Sequence, residues 1–515
     1  MYSYVNRVAN SLYSLLFTLY AQTALPALTS LLLILSYPKF NQGWLAWFAL
    51  TPLTAALWKV KDFKQALITG LTAGFFFYAG ILYWIYPTMR AGGVVPAVSA
   101  FGLAALSLLM SVEFIIVAGF GFYLKKIGSR VWPYVFAAGW ALMEYGKVYL
   151  SLKAVWFPWF MLGYTQWAYT PLIQVVSLTG VYGLSAAVCF TGALIGTILS
   201  LDAPVLKKIL RFLPAPALVC LIFFYGRQEL KKADTAVAVK SLSVAMLQPS
   251  INLYAKWDSD QALNIRADME DLSAAAKNAD LVVWPENALP CWIDEPECYA
   301  WLKAAAARPA GGSLVGSVSK GDGRHVAAFL LDAKGEIKAS YNKRQLVPFG
   351  EYVPLRGLLG RYIKPVAALG EFLPGAPVQG LFKFRDFKIG AVICYESVFP
   401  YLFAGDARSG ADMFVNITND GWYLDTAAPY QHFLVNIFRA VENRRPVARA
   451  ANNGISGVID PWGRVLVKTA LNERIALVVP VQAYSDRAVP PYYREWFVWA
   501  TLLVVSAFLL AVLFI

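Results

Sequence analysis

Two apolar runs in the sequence end in a residue that can do chemistry. Leu281-Val282-Val283-Trp284 stops at Pro285, so the chain turns there and presents Glu286. Gly390-Ala391-Val392-Ile393 leads into Cys394, with Tyr395 and Glu396 behind it. Between them Tyr341-Asn342 delivers Lys343 into a turn-rich segment that contains Glu351 and runs to Pro354. A thiol is a useful nucleophile near neutral pH only beside a base or a positive charge. Histidine is the usual base, but His325 and His432 are the only two in the chain. Neither closes a run of this kind, so a Cys–His pair is allowed but not indicated. A carboxylate can take the proton instead, and a lysine can favour the thiolate and hold the oxyanion of a tetrahedral intermediate. Glu286, Lys343 and Cys394 are together sufficient for covalent acyl chemistry. Singly, each has an ordinary explanation: a core cysteine, a solvated loop lysine, a surface carboxylate.

These residues need strands to present them. The runs 243–247, 280–284, 313–318, 389–394 and 413–418 are short, apolar and bounded by turn residues, as buried strands are. Helical patterns intervene. Leu263, Ile265, Met269, Leu272 and Ala276 recur at near-helical spacing over 259–277, and 430–444 forms a second such stretch. Ala333-Lys334-Gly335 predicts a hairpin turn. Strands alternating with helices over 235–488 define an α/β domain.

The rest of the chain is of another kind. Its 515 residues are 58% hydrophobic, with a mean hydropathy of +0.51, and the excess lies outside the α/β segment. Spans long enough for a bilayer are expected at 23–38, 43–58, 65–86, 96–124, 131–150, 171–200 and 208–226, within a membrane domain of residues 1–230. One more closes the chain at 493–514, within a C-terminal segment 491–515. Residues 9–22 extend the first helix, with Pro26 as a bend, or form a separate span that would invert the count; the spans that follow and the lack of a clear cleavage site disfavour a cleaved leader. Lys59, Lys61 and Lys64, then Lys125, Lys126 and Arg130, then Lys207, Lys208 and Arg211 fill alternate loops. The intervening loops carry Lys39, then Arg90, then Lys147 and Lys153. Cation-rich loops face the cytoplasm, so seven spans leave the α/β domain outside it. The net charge of +13 is explained by these loops rather than by nucleic acid. Glu144, near the end of the fifth span, is expected to snorkel to the interface. Cys189 and Cys220 are expected as packing residues. Cys291 and Cys298 flank an acidic loop, and whether they pair is left open by spacing alone.

The three chemical segments resemble the Glu–Lys–Cys signature of the nitrilase, or carbon–nitrogen hydrolase, superfamily. Within it the chain is similar to the apolipoprotein N-acyltransferases. The segments that carry the likeness are Trp284-Pro285-Glu286, Tyr341-Asn342-Lys343, Leu346-Val347-Pro348-Phe349-Gly350-Glu351, Cys394-Tyr395-Glu396, Asn419-Asp420 with Trp422, Gln431-His432-Phe433, and Asn452-Asn453-Gly454. Trp156-Phe157-Pro158-Trp159 and Gly163-Tyr164 add to it in the membrane part. Asn287 departs from the pattern, where serine is common. The resemblance implies a polytopic helical membrane bundle bearing an extracytoplasmic, nitrilase-like α/β domain, a four-layer α-β-β-α sandwich. It implies a monomer in a bacterial inner membrane, with the catalytic domain facing the periplasm. Cys394 would be the nucleophile, Glu286 the general base and Lys343 the oxyanion stabiliser. Glu351 would be an accessory carboxylate, and Tyr395 and Glu396 would shape the nucleophile's surroundings. Trp257 and Trp422 would meet the lipid substrate. The implied substrates are a phospholipid acyl donor and a diacylglyceryl-modified apolipoprotein acceptor, with no metal or cofactor. Two rivals remain: a membrane-tethered amidase in which water attacks the thioester, and a transporter with a sensing domain, which the scarcity of charge in the spans disfavours.

Overall fold

Successive side chains of a strand point to opposite faces, and the α/β domain shows this in its packing. Val244 and Met246 face one hydrophobic core, whereas Ala245 and Leu247, their neighbours in sequence, face another. A strand buried on both faces needs a layer on each side, and the layers are present. A computed structural model of the chain describes residues 20–152, 156–253, 259–307, 311–354, 371–484 and 493–513. The described chain divides into two compact units, one helical and one beginning at Leu230 that contains all the strands.

The second unit has two six-stranded sheets. The strands that matter below are β1 (Ala238–Gln248), β2 (Leu281–Val283), β3 (Gly312–Ser319), β4 (His325–Leu331), β5 (Ile337–Asn342), β7 (Phe387–Ile393), β8 (Met413–Thr418) and β9 (Val447–Ala451). With β6 at Phe382–Phe384, β10 at Gly457–Ile459, β11 at Val465–Lys468 and β12 at Ile475–Tyr484, the first sheet is ordered β12-β1-β2-β3-β4-β5 and the second β11-β10-β9-β8-β7-β6. Val283, Leu314 and Ala328 of the first sheet share one core with Ile389, Ala391, Val415 and Ala448 of the second. Helices Ser259–Ala275 and Pro296–Ala306 cover the outer face of the first sheet through Ile265, Met269, Leu272, Leu302 and Ala305. Helices Pro400–Arg408 and Ala428–Asn443 pack on strands of the second. This is the four-layer α-β-β-α sandwich. The strands and helices expected from the pattern are all present, with ends shifted by a few residues. The hairpin lies between β4 and β5, with Gly335 at φ 75°.

The β1–β2–β3 and β7–β8–β9 pairings are parallel. In parallel sheets ligand sites form beyond the carboxyl ends of the strands. Glu286 follows β2, Cys394 follows β7 and Asp420 follows β8.

In the helical unit, Pro96–Ile127, Val176–Leu199, Val205–Thr235 and Glu495–Val512 are each long and apolar enough to cross a bilayer. Phe63–Ile81 and Ile85–Ala91 form a pair bent by 46°. Pro26 sits in the first turn of Leu25–Ser36, just after a π-helical turn at Tyr20–Ala24. Gly70 and Gly74 lie one turn apart, and a Cβ there would meet Phe114 O at 2.5 Å and Ser111 Cα at 2.8 Å. The Gly-x-x-x-Gly spacing lets helix Phe63–Ile81 meet helix Val112–Tyr123 at backbone distance.

Glu144 does not snorkel. It is 1% exposed, and its Oε1 accepts from Trp140 Nε1 at 2.9 Å and Leu162 N at 2.7 Å. Lys147, read from the sequence as a loop cation, is likewise buried within helix Trp132–Leu150. It pairs with Glu113 Oε2 at 3.1 Å and donates to the carbonyl of Phe160. Glu113 also accepts from Tyr78 OH at 2.6 Å and from Trp156 Nε1 at 2.8 Å. These groups serve the non-helical stretch 156–161, whose backbone polar groups would otherwise be stranded in an apolar interior. Cys189 is buried as expected, but Cys220 is exposed on its helix.

Candidate active site

The ladder between β2 and β3 continues one step past β2, with Trp284 N donating to Leu314 O at 2.8 Å. Pro285 ends it. The chain then crosses close to Gly316, where a Cβ would lie 2.2 Å from the Pro285 carbonyl. Only glycine at that β3 position lets Glu286 fold inward, where it is 7% exposed. Its Oε1 accepts from Lys343 Nζ at 3.0 Å and its Oε2 from Asn419 N at 2.9 Å.

Lys343 follows β5, and its N–H continues the β4 ladder to Val326 O at 2.8 Å. Its side chain is 1% exposed and lies between two carboxylates, with Glu351 Oε1 at 2.5 Å from Nζ. Burial disfavours the ammonium, but Glu286 and Glu351 outweigh it and hold the lysine well above its ordinary pKa. Burial pushes Glu351 up; Lys343 pulls it down, and Glu286 adds to the rise. Its second oxygen accepts from Val347 N at 2.9 Å, which fixes the loop.

Cys394 is buried and unpaired in any disulfide, with φ 52°, the left-handed region. For a residue with a Cβ this costs about 1–2 kcal/mol, and it persists only where the surroundings impose it. Burial and the negative Glu286 raise the thiol pKa, and Lys343 opposes them. Thr418, whose hydroxyl donates to Asp420 Oδ1 at 3.3 Å, also lowers it. A thiol held this way can attack a carbonyl only if its proton leaves at the same time.

Glu396 joins the two chemical segments. Its Oε1 accepts from Arg344 N at 2.6 Å and Gln345 N at 3.1 Å, and its Oε2 accepts from Tyr341 OH and Ile393 N, each at 2.8 Å. The residues flanking Lys343 are thus tied to the residue before Cys394. Tyr395 packs edge-on against Phe399 at 5.2 Å. Trp422 is exposed on the turn Asp420–Tyr423. Trp257 lies outside the described residues.

Sequence reasoning missed several groups. His432 reaches the backbone of Cys394, its Nε2 3.0 Å from Cys394 O. Its Nδ1 lies 2.8 Å from Asp420 Oδ1, and Arg449 holds the other oxygen of Asp420 at 2.8 Å. The Gln431-His432-Phe433 segment was visible, but nothing in its spacing shows where a helix face points. Cys291 and Cys298, whose pairing the sequence left open, form a disulfide with a Cα–Cα distance of 6.0 Å.

The sheets and the residues at their carboxyl ends define a carbon–nitrogen hydrolase domain, carried on a chain with a separate apolar helical unit. The carbon–nitrogen hydrolase family model matches residues 243–487. The model for the apolipoprotein N-acyltransferase N-terminal domain matches residues 29–194. The apolipoprotein N-acyltransferase of Geobacter metallireducens is 34% identical over 487 residues, 92% of this chain and 92% of its own. That of Pseudomonas syringae is 30% identical over 446 residues, 84% of this chain and 85% of its own. Among solved structures, an amidase from Nesterenkonia sp. aligns with 51% of this chain and 98% of its own at 21% identity, with a TM-score of 0.37. The chain belongs to the apolipoprotein N-acyltransferase family.

Proposed function

We propose that this chain transfers a fatty acyl group from a phospholipid to the α-amine of the lipid-modified N-terminal cysteine of an apolipoprotein, through a thioester on Cys394. One observation carries the chemistry: the buried Cys394, held in a left-handed turn, is tied through Glu396 to the segment that bears Lys343, and Lys343 holds Glu286 at 3.0 Å. Glu286 takes the thiol proton as sulfur attacks the ester carbonyl. Lys343 and backbone donors hold the oxyanion. Collapse breaks the ester C–O bond, and the proton returns from Glu286 to the departing lysophospholipid. The acceptor amine then attacks the thioester. A C–N bond forms, the C–S bond breaks, and the amine's proton passes through Glu286 to the sulfur. Glu351 shares Lys343 with Glu286, so the cation is neutralised before substrate arrives. Trp257 and Trp422 are proposed to meet the lipid.

The same triad would serve an amidase in which water attacks. The match of the apolar N-terminal domain favours transfer, because both substrates are then membrane-anchored and the site must lie within reach of headgroups. The catalytic domain is proposed to face the periplasm of a bacterial inner membrane, above seven spans and with one span after it. The alternating loop cations support this, more cleanly once Lys147 is removed from the loops. The Cys291–Cys298 disulfide also supports it, since such bonds persist in oxidising compartments.

Phospholipid alone should add one acyl mass to the protein, removable by hydroxylamine and absent in Cys394→Ala, with little free fatty acid. A diacylglyceryl-cysteine peptide should then discharge the thioester rapidly, and blocking its α-amine should stop this. Steady release of fatty acid without peptide, at the peptide rate, would replace the transferase with the hydrolase. Single cysteines at Lys61 and in the α/β domain should label from opposite sides of the membrane; labelling from one side defeats the orientation.

A further inference from the structure

The buried groups around His432 form a connected path that the triad chemistry leaves unused. Arg449, on β9, is 0% exposed. Its Nη2 holds Asp420 Oδ2 at 2.8 Å, its Nε donates to Ile455 O at 3.1 Å, and its Nη1 donates to Asn416 Oδ1. Asn416 in turn donates to Val392 O at 3.2 Å, two residues before the nucleophile. Asp420 Oδ1 meets His432 Nδ1 at 2.8 Å, and His432, itself 0% exposed, meets Cys394 O through Nε2 at 3.0 Å. The path begins on one strand, crosses a turn and a helix, and ends on the carbonyl of the residue that must attack.

A carbonyl oxygen offers only lone pairs, so the contact to Cys394 requires a proton on Nε2. The other ring nitrogen lies 2.8 Å from Asp420 Oδ1, a carboxylate oxygen that can only accept, and 3.2 Å from Arg449 Nη2. The Cys394 carbonyl therefore fixes a proton on Nε2 whatever the charge of the ring, while burial and then Arg449 lower the pKa of His432 and Asp420 raises it.

The consequence concerns the strained backbone. Ile393 N–H, on one side of Cys394, is held by Glu396 Oε2 at 2.8 Å. The carbonyl on the other side is held by His432. Peptide groups are planar, so His432 fixes the peptide that leaves Cys394, while Glu396 and Asn416 fix the Val392–Ile393 peptide before it, and the backbone of Cys394 is held between the two. A left-handed non-glycine residue needs such over-determination. We infer that His432 is a positioning residue for the nucleophile, its Nε2–H holding the Cys394 carbonyl and Asp420, braced by Arg449, aiming the ring. This rests on Cys394 being the acylated residue.

The test uses the full-length chain in detergent with phospholipid as donor. His432→Leu fills space without a donor; His432→Gln returns an N–H. The acylation rate of Cys394 at saturating phospholipid should fall about 30-fold in His432→Leu, the worth of one lost buried hydrogen bond felt in the transition state. The half-saturating phospholipid concentration should change less than about two-fold, and His432→Gln should recover most of the rate. A folded His432→Leu that acylates within about three-fold of the parent overturns the inference, as does equal impairment of the two variants. If His432→Leu does not fold, the parent decides. The chain has only two histidines, so nitrogen-15 imidazole spectra, assigned with His325→Gln, report the His432 tautomer directly. A protonated Nε2 is expected, and an Nε2 without a proton overturns the inference. Failure of the parent to acylate Cys394 would refute the proposed function instead, and would leave the tautomer result standing.

Discussion

Glu396→Gln is the sharpest probe of how the two chemical segments are held together. The change swaps one carboxylate oxygen for an NH2 group at nearly constant volume. Four donors converge on Glu396: Arg344 N, Gln345 N, Tyr341 OH and Ile393 N. The glutamine oxygen best replaces Oε1, which serves two backbone N–H groups that cannot turn away. The NH2 then faces Tyr341 OH, which can rotate to accept, and Ile393 N–H, which cannot. One buried N–H is stranded, at about 1–3 kcal/mol, and the remaining bonds lose their charge assistance. The expected loss of stability is about 2–4 kcal/mol. Glu396→Ala, which strands all four donors unless water enters, should lose more. The stranded N–H belongs to the residue before Cys394, so the thiol should drift from Lys343. A misplacement of about 1 Å can cost about 100-fold in rate. Denaturant or thermal unfolding in detergent gives the first number, and single-turnover acylation followed by intact mass gives the second. A Glu396→Gln variant within about 0.5 kcal/mol of the parent, acylating within about three-fold, would refute the joining role.

Lys147→Met leaves Glu113 buried without its cation and should destabilise the helical unit by about 3–5 kcal/mol, whereas Lys147→Met with Glu113→Gln should recover part of it. An unchanged melting temperature in detergent would show that the pair is not buried as described. Burial pushes the Asp406 carboxyl up from 3.8 to about 6, with Arg344 pulling the other way. Its folded form therefore binds the proton more tightly than its unfolded form, so its contribution to stability is full below about pH 4 and is lost as pH rises through about 6. The shift from 3.8 to about 6 is about two units, or about 3 kcal/mol. Asp406→Asn should flatten that window in unfolding measured from pH 4 to 7, and an unchanged slope would count against it. Cys291 and Cys298 are seven positions apart, a short loop whose closure is worth about 2.5 kcal/mol. Cys291→Ser should cost about that, and alkylation of the unreduced parent with mass detection should find both thiols blocked.

Much of the α/β domain was legible in the sequence because burial on both faces leaves a strong local mark. Runs such as Val282–Trp284 and Val392–Cys394 are apolar without interruption, and Pro285 stops the first where the chain must turn. A residue placed just past such a stop is presented by its strand, which is why Glu286, Lys343 and Cys394 could be named together. The tertiary structure decided what holds them. The four donors to Glu396 lie 3 to 55 residues away from it, and the path from Arg449 to Cys394 crosses 55 residues of chain. Hydrogen bonds of that kind leave no periodic trace, because each needs only one polar residue whose direction is set by packing. His432 has the spacing of any helix residue, and only the crossing of its helix over the end of β7 aims it at Cys394. Glu144 and Lys147 show the same limit in the helical unit. At the end of an apolar run, a charge that reaches water and a charge that satisfies a buried loop look alike in sequence. Distant backbone groups at Phe160 and Leu162, which would be unsatisfied without them, determine which it is.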